Sequence, residues 1–76
     1  MQDQTVAVVM EVILVGIHDD RFYDILFYYE SDPNKTPQSC RLGPEAVPSG
    51  IRKGMRVRVK AMLTTILGLD LIPDVN

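Results

Sequence analysis

The side chains best suited to chemistry in this sequence are cations. Arg56, Arg58 and Lys60 alternate with Val57 and Val59 after Gly54 and Met55. On a strand, alternation places all three on one solvent face about 7 Å apart, comparable with the phosphate spacing of an extended nucleic acid. Arg52, Lys53 and Arg41 would widen this track. A surface that holds single-stranded DNA or RNA also needs aromatic platforms, and Phe22 and Tyr28 are the expected stacking residues. The competing reading is structural. Alternating Arg and Lys solvate a strand, discourage edge pairing, and pair with acids on a neighbouring strand such as Glu11 or Asp24.

Other chemistries find little support. His18-Asp19-Asp20, with Asp24 nearby, contains metal-ligating types, but adjacent residues of one turn seldom converge on a single ion, and capping aspartates explain the pattern. The chain has one histidine and one cysteine, His18 and Cys40, far apart in sequence and with no nucleophile motif around the thiol. No glycine pattern cradles a phosphate. A single cysteine excludes an intramolecular disulfide framework and a zinc site built on paired thiolates. The expectation is a non-enzymatic protein without a cofactor or a metal.

The charge is unevenly spread. Residues 1–32 hold seven acids (Asp3, Glu11, Asp19, Asp20, Asp24, Glu30, Asp32) and one base, Arg21. Residues 33–62 reverse this, with seven bases (Lys35, Arg41, Arg52, Lys53, Arg56, Arg58, Lys60) and one acid, Glu45. Asp70 and Asp74 bring the net charge to −2. A net-acidic chain is no histone-like polycation, yet it can carry a basic face.

The elements that would position these groups are strands. Val6, Val8, Val9, Val12, Ile13, Val15 and Ile17 make the first segment β-branched throughout, which favours a pleated surface over a helix. A strand from Val6 to Ile17 would reach about 40 Å, so it must curl or serve two sheets. The polar run from Gly16 to Arg21 predicts a turn. Phe22 to Glu30 alternates, with Tyr23, Ile25, Phe27 and Tyr29 on the face free of acids and therefore toward the core. Ser31 to Pro37 is loop. Gln38 to Leu42 is a short strand. The Pro- and Gly-rich stretch 43–54 leaves room for a single turn at Pro44–Val47. Met55 to Lys60 alternates with Met55, Val57 and Val59 inward, and the strand is expected to continue to Thr64. Gly68 reads as a bulge or tight turn before a last strand, Leu69 to Ile72.

Five strands without a full helix predict an all-β fold, a small five-stranded barrel in a single domain spanning 1–76. The wording Gly54-Met55-Arg56-Val57-Arg58-Val59, after a Pro/Gly-rich connection, resembles the opening of the fourth strand of an OB-fold. The order of long strand, hairpin, weak third strand, linker and closing hairpin is similar to that family's layout. OB-folds often place a helix between strands three and four, and 43–54 departs from that. An SH3-like barrel is the alternative.

With 46% hydrophobic residues in 76, the chain holds more apolar surface than one small barrel can hide. The first strand and the segment Met62 to Ile72 are apolar on both faces, and Phe22, Leu26 and Tyr28 fall on the outer face of the second strand. The surplus points to a homo-oligomer or a protein partner, with the chain as a structural or adaptor subunit. The longest apolar stretch, Val6 to Ile17, is shorter than the roughly 20 residues of a membrane-spanning helix. Met1-Gln2-Asp3-Gln4-Thr5 lacks the positive charge of a secretory leader, so a cytoplasmic location is expected.

Overall fold

The structure is a computed structural model in which residues 5–72 are described. Five antiparallel strands form one sheet: β1 Val6–Ile17, β2 Asp20–Tyr29, β3 Gln38–Leu42, β4 Arg56–Met62 and β5 Thr65–Leu71. A short 3-10 turn at Pro44–Ala46 follows β3, opened by a proline that has no N–H to leave unsatisfied. The strand order is β3-β2-β1-β4-β5. The ladder is open, since no β3–β5 pairing joins its ends among the described residues.

The sheet curls so that one face becomes the core. Ala7, Val9, Ile25, Phe27, Leu42, Val57, Val59 and Leu69 form one buried cluster. Leu42 and Leu69 come from the two outermost strands, so the ends of the sheet are brought over a shared interior. Phe27 is completely buried, and its ring meets Tyr29 edge-on at 5.5 Å between centroids. The expected inward set of β2, Tyr23, Ile25, Phe27 and Tyr29, is the one that packs on or within this cluster.

The 3-10 turn packs against β5 and β2. A Cβ on Gly68 would stand 3.0 Å from the Ala46 carbonyl oxygen, so glycine is what lets the turn sit against β5. Gly68 lies within β5 and borders a bulge, since the register against β4 shifts by one residue between Gly68 and Ile66; the expected bulge is present, and the tight turn is not at this position. The turn is at Leu63–Thr64 instead, β4 stops at Met62, and β5 begins at Thr65. Leu63 takes a left-handed conformation (φ 56°) and is 97% exposed. The first hairpin turn is likewise tighter than the polar run implied. It comprises His18 and Asp19 only, and β2 starts at Asp20 and ends at Tyr29.

The strand β1 is longer than its neighbour β4 can cover. Ladder pairing with β4 is confined to Val6–Val8. One residue further, the Val9 N–H donates to the Met55 carbonyl (2.9 Å) and the Gly54 N–H donates to the Val9 carbonyl (2.7 Å). Between Val9 and Glu11 a bulge shifts the register against β2. Beyond it, the second half of β1 pairs with β2 alone, as a two-stranded ribbon. No helix among the described residues is long and apolar enough to cross a membrane.

Candidate binding surfaces

Two surfaces follow from this register: an outer face carrying the cations, and the ribbon. On the outer face, Tyr28, Val8 and Arg56 lie in one row across β2, β1 and β4. At strand spacing this sets the Tyr28 and Arg56 backbones about 10 Å apart. In the next row Val6 is flanked by Arg58, its partner on β4, which stands opposite Asp70 on β5. Val6 is 6% exposed yet lies outside the core cluster, consistent with long side chains closing over it on the outside.

The cations of β4 are interleaved with acids. The Arg56 guanidinium donates to both Glu30 carboxylate oxygens (2.5 and 3.0 Å), and Lys60 Nζ lies 3.4 Å from Asp70 Oδ1. Arg41 donates to both oxygens of Asp24, its cross-strand partner on β2 (2.7 and 2.9 Å). The expected acidic partners of the basic strand, Glu11 and Asp24, are thus replaced by Glu30 and Asp70. The cause is topological: β4 meets only the start of β1, so Glu11 lies beyond its reach, and Asp24 faces β3. Arg41 is set apart from Arg56, Arg58 and Lys60 by the same strand order, with β2 and β1 between them.

Arg52 and Lys53 precede β4 in the connecting loop. With Met55, Arg56 and Leu71 they border a hollow of about 520 Å³. Phe22 shares the outer face with Tyr28 but pairs with Val15 in the ribbon, six residues along β2 and about 20 Å away. The structure therefore sets Tyr28 in one row with Arg56, carries Arg58 and Lys60 further along β4, and leaves Phe22 and Arg41 elsewhere. Lys35 is the participant that sequence reasoning missed. Its Nζ lies 5.6 Å from the centroid of the Tyr28 ring. The loop that delivers it folds back because the Asp32 carboxylate accepts hydrogen bonds from the Asn34 and Thr36 backbone N–H groups. The Asp32-Pro33-Asn34 wording was a readable signal for that turn.

Three carboxylates are held below their ordinary pKa: Glu30 and Asp24 by hydrogen bonds from Arg56 and Arg41, and Asp32 by those of its own loop. A group more acidic in the folded than the unfolded state stabilises the fold above the usual carboxylate range, and that stability is lost as pH falls through the lowered values. Urea midpoints are accordingly expected to be flat from about pH 5 to 8 and to drop below about pH 4. Glu30→Gln should remove part of that drop; a wild-type midpoint insensitive to acid would contradict the pairing. Burial, and secondarily Asp24, pushes the Cys40 thiol up. It sits on β3 opposite Ile25, half-buried, and a protonated thiol is a poor nucleophile.

The ribbon exposes apolar side chains on both sides. Its outer side presents Ile13 and Val15 beside Phe22 and Leu26, with Ile13 half exposed, and carries the acids Glu11 and Asp24 among them. Its inner side presents Val12, Leu14 and Tyr23, with Leu14 57% exposed. These three face Ile51 across a second hollow of about 520 Å³, rimmed by Arg52 and Lys53. The other apolar exposure is at the far hairpin, where Met62 and Leu63 project, and at Leu67 and Leu71 along β5. No family model, curated protein or solved structure matches this chain.

Proposed function

We propose that this chain is a non-catalytic protein-docking module, an OB-like, partly open barrel whose β1–β2 ribbon engages another polypeptide. Support for the OB-like reading comes from the strand order and from the core that Leu42 and Leu69 share across the gap between β3 and β5. The docking reading is carried by one observation. Past Val9 the ribbon exposes Ile13, Leu14 and Ile17 on both faces, where a solvated hairpin would alternate apolar with polar side chains. Changing Ile13 and Leu14 to threonine keeps β propensity and lowers apolar area. The tagged wild-type chain in cell extract is expected to migrate well above monomer size, and Ile13→Thr/Leu14→Thr at monomer size. Monomeric migration of both proteins would dismiss the docking reading.

A second reading, a sequence-tolerant surface for single-stranded DNA or RNA, is favoured by the row Tyr28–Val8–Arg56 and by Arg52 and Lys53. Neither of these two cations makes an ion pair among the described residues. Its expected signature is an affinity that falls with salt, with a slope of about 0.7 per phosphate neutralised. Arg56→Glu/Arg58→Glu should then cost at least about tenfold in binding at fixed salt. Equal binding by variant and wild type would remove this reading. The interleaved Glu30 and Asp70 weigh against it, because each phosphate must displace a carboxylate already in place.

A further inference from the structure

We propose that the partner of the ribbon is a second copy of this chain, joined edge to edge through antiparallel pairing of the two β1 strands. The inference rests on reading the ribbon as a protein-docking surface, and it names the occupant. Among the described residues, Met10–Ile17 has a strand neighbour on the β2 side only. Natural sheet edges are blunted by Lys, Pro, inward charges or bulges; the bulge of β1 lies at the start of this edge, and from Glu11 to Ile17 the strand is regular. This one, Met-Glu-Val-Ile-Leu-Val-Gly-Ile, has no Lys, Arg or Pro, and Glu11 is its sole charge. An open edge of that composition is a template for another strand, and pairing with itself satisfies both copies at once through a two-fold axis.

Length and charge select the arrangement. An antiparallel pair related by a two-fold axis places residues of the same face opposite one another. Centred on Leu14, it sets Glu11 of one copy against Ile17 of the other and fills the edge that β4 leaves free. The second copy's His18–Asp19 turn then arrives level with Val9 and Met10, where Gly54 and Met55 take over the edge of β1. Arg52 and Lys53 stand immediately before Gly54, at the rim of the hollow that holds Leu14 and Tyr23. The arriving turn carries Asp19 and Asp20 against the single Arg21. None of Asp19, Asp20, Arg52 and Lys53 has an ion-pair partner among the described residues. One protomer's unpaired acids thus meet the other's unpaired cations, and symmetry makes the contact twice. Leu14, on the axis, faces itself, and the exposed Ile13 and Ile17 are covered by the same step.

Sedimentation equilibrium of the full chain from about 1 to 200 µM is expected to show a reversible monomer–dimer equilibrium. Arg52→Glu/Lys53→Glu and Asp19→Lys/Asp20→Lys should each weaken it by about tenfold or more. An equimolar mixture of these two variants should recover a heterodimer, since both of its contacts then join opposite signs, one as in the wild type and one with the charges reversed. On a Cys40→Ser background, Leu14→Cys should give a disulfide-linked dimer under mild oxidation, because cross-strand partners bring their Cβ atoms near bonding range. Leu63→Cys, at the far hairpin, should not. A wild-type monomer throughout this range would overturn the proposal, as would a dimer indifferent to both charge reversals and without the Leu14→Cys crosslink. If the purified chain is monomeric while the wild type in extract still migrates as a complex lost in Ile13→Thr/Leu14→Thr, the second copy is excluded and the docking reading stands.

Discussion

Phe27→Ala is expected to lose about 3–5 kcal/mol of stability, the largest loss of any single substitution considered. The side chain is wholly buried, sits between Ile25 and Tyr29 on the inward face of β2, and meets Tyr29 edge-on. Removing such a ring costs about 3–5 kcal/mol, because the cavity is only partly filled by relaxation. A 76-residue domain of ordinary stability per residue has about 4–11 kcal/mol in total. The loss is therefore a large share of what holds the sheet curled, and at the lower end it is all of it. Phe27→Leu, which keeps most of the volume, should remain folded and lose roughly 1–2 kcal/mol. Urea unfolding followed by circular dichroism reads both. An alanine variant within about 1 kcal/mol of wild type would mean that the core is not centred on this ring.

Gly68→Val has the next largest expected effect, and it acts at the seam of the fold. Its Cβ would approach the Ala46 carbonyl oxygen to 3.0 Å, and the branched methyls need more room still. Either β5 or the 3-10 turn must move, and overpacking of this kind costs about 1–3 kcal/mol. The backbone amides around Pro44–Ala46 should exchange faster with solvent, since the turn is what gives way first. Gly16→Ala is the control. Nothing lies within 4 Å of the added atom at that position, so its stability should match wild type within about 0.5 kcal/mol. Equal stability of Gly68→Val and wild type would show that the turn does not rest on β5.

The contrast between these glycines explains much of what could and could not be read in advance. The Val/Ile run of β1 and the short β3 fall where the sequence places them, Val6–Ile17 and Gln38–Leu42, because dense β-branching and flanking turn residues are local signals. Gly68 reads as local punctuation and does border the bulge of β5, but its tightest constraint, a linker carbonyl 3.0 Å from where a Cβ would stand, is a tertiary contact without a local signal. The real turn at Leu63–Thr64 contains no Gly, Asn or Asp, and a leucine in the left-handed region leaves no local trace. Leu63→Asn should tighten that hairpin, since asparagine tolerates this conformation at lower cost.

The site divides in the same way. Alternation was enough to put Arg56, Arg58 and Lys60 on one face. Pairing them with Glu30 and Asp70 required knowing that β4 lies between the start of β1 and β5. The cross-strand pair Asp24–Arg41 needed the β2–β3 register for the same reason. The apolar surplus was visible as an amount. Its location in the ribbon depends on how far β4 runs along β1, and that extent is fixed by the loop at Arg52–Gly54 rather than by β1 itself.

Amide hydrogen exchange on the assembled protein tests the docking ribbon most directly, whatever the partner proves to be. The complex captured from extract through the tagged wild-type chain is compared with the Ile13→Thr/Leu14→Thr monomer. Slow exchange confined to Met10–Ile17 in the complex, with the Met62–Thr65 hairpin unchanged, is the expected result. New protection at Met62–Thr65 or along Arg56–Lys60, with Met10–Ile17 exchanging as in the monomer, would place the interface elsewhere and contradict the account.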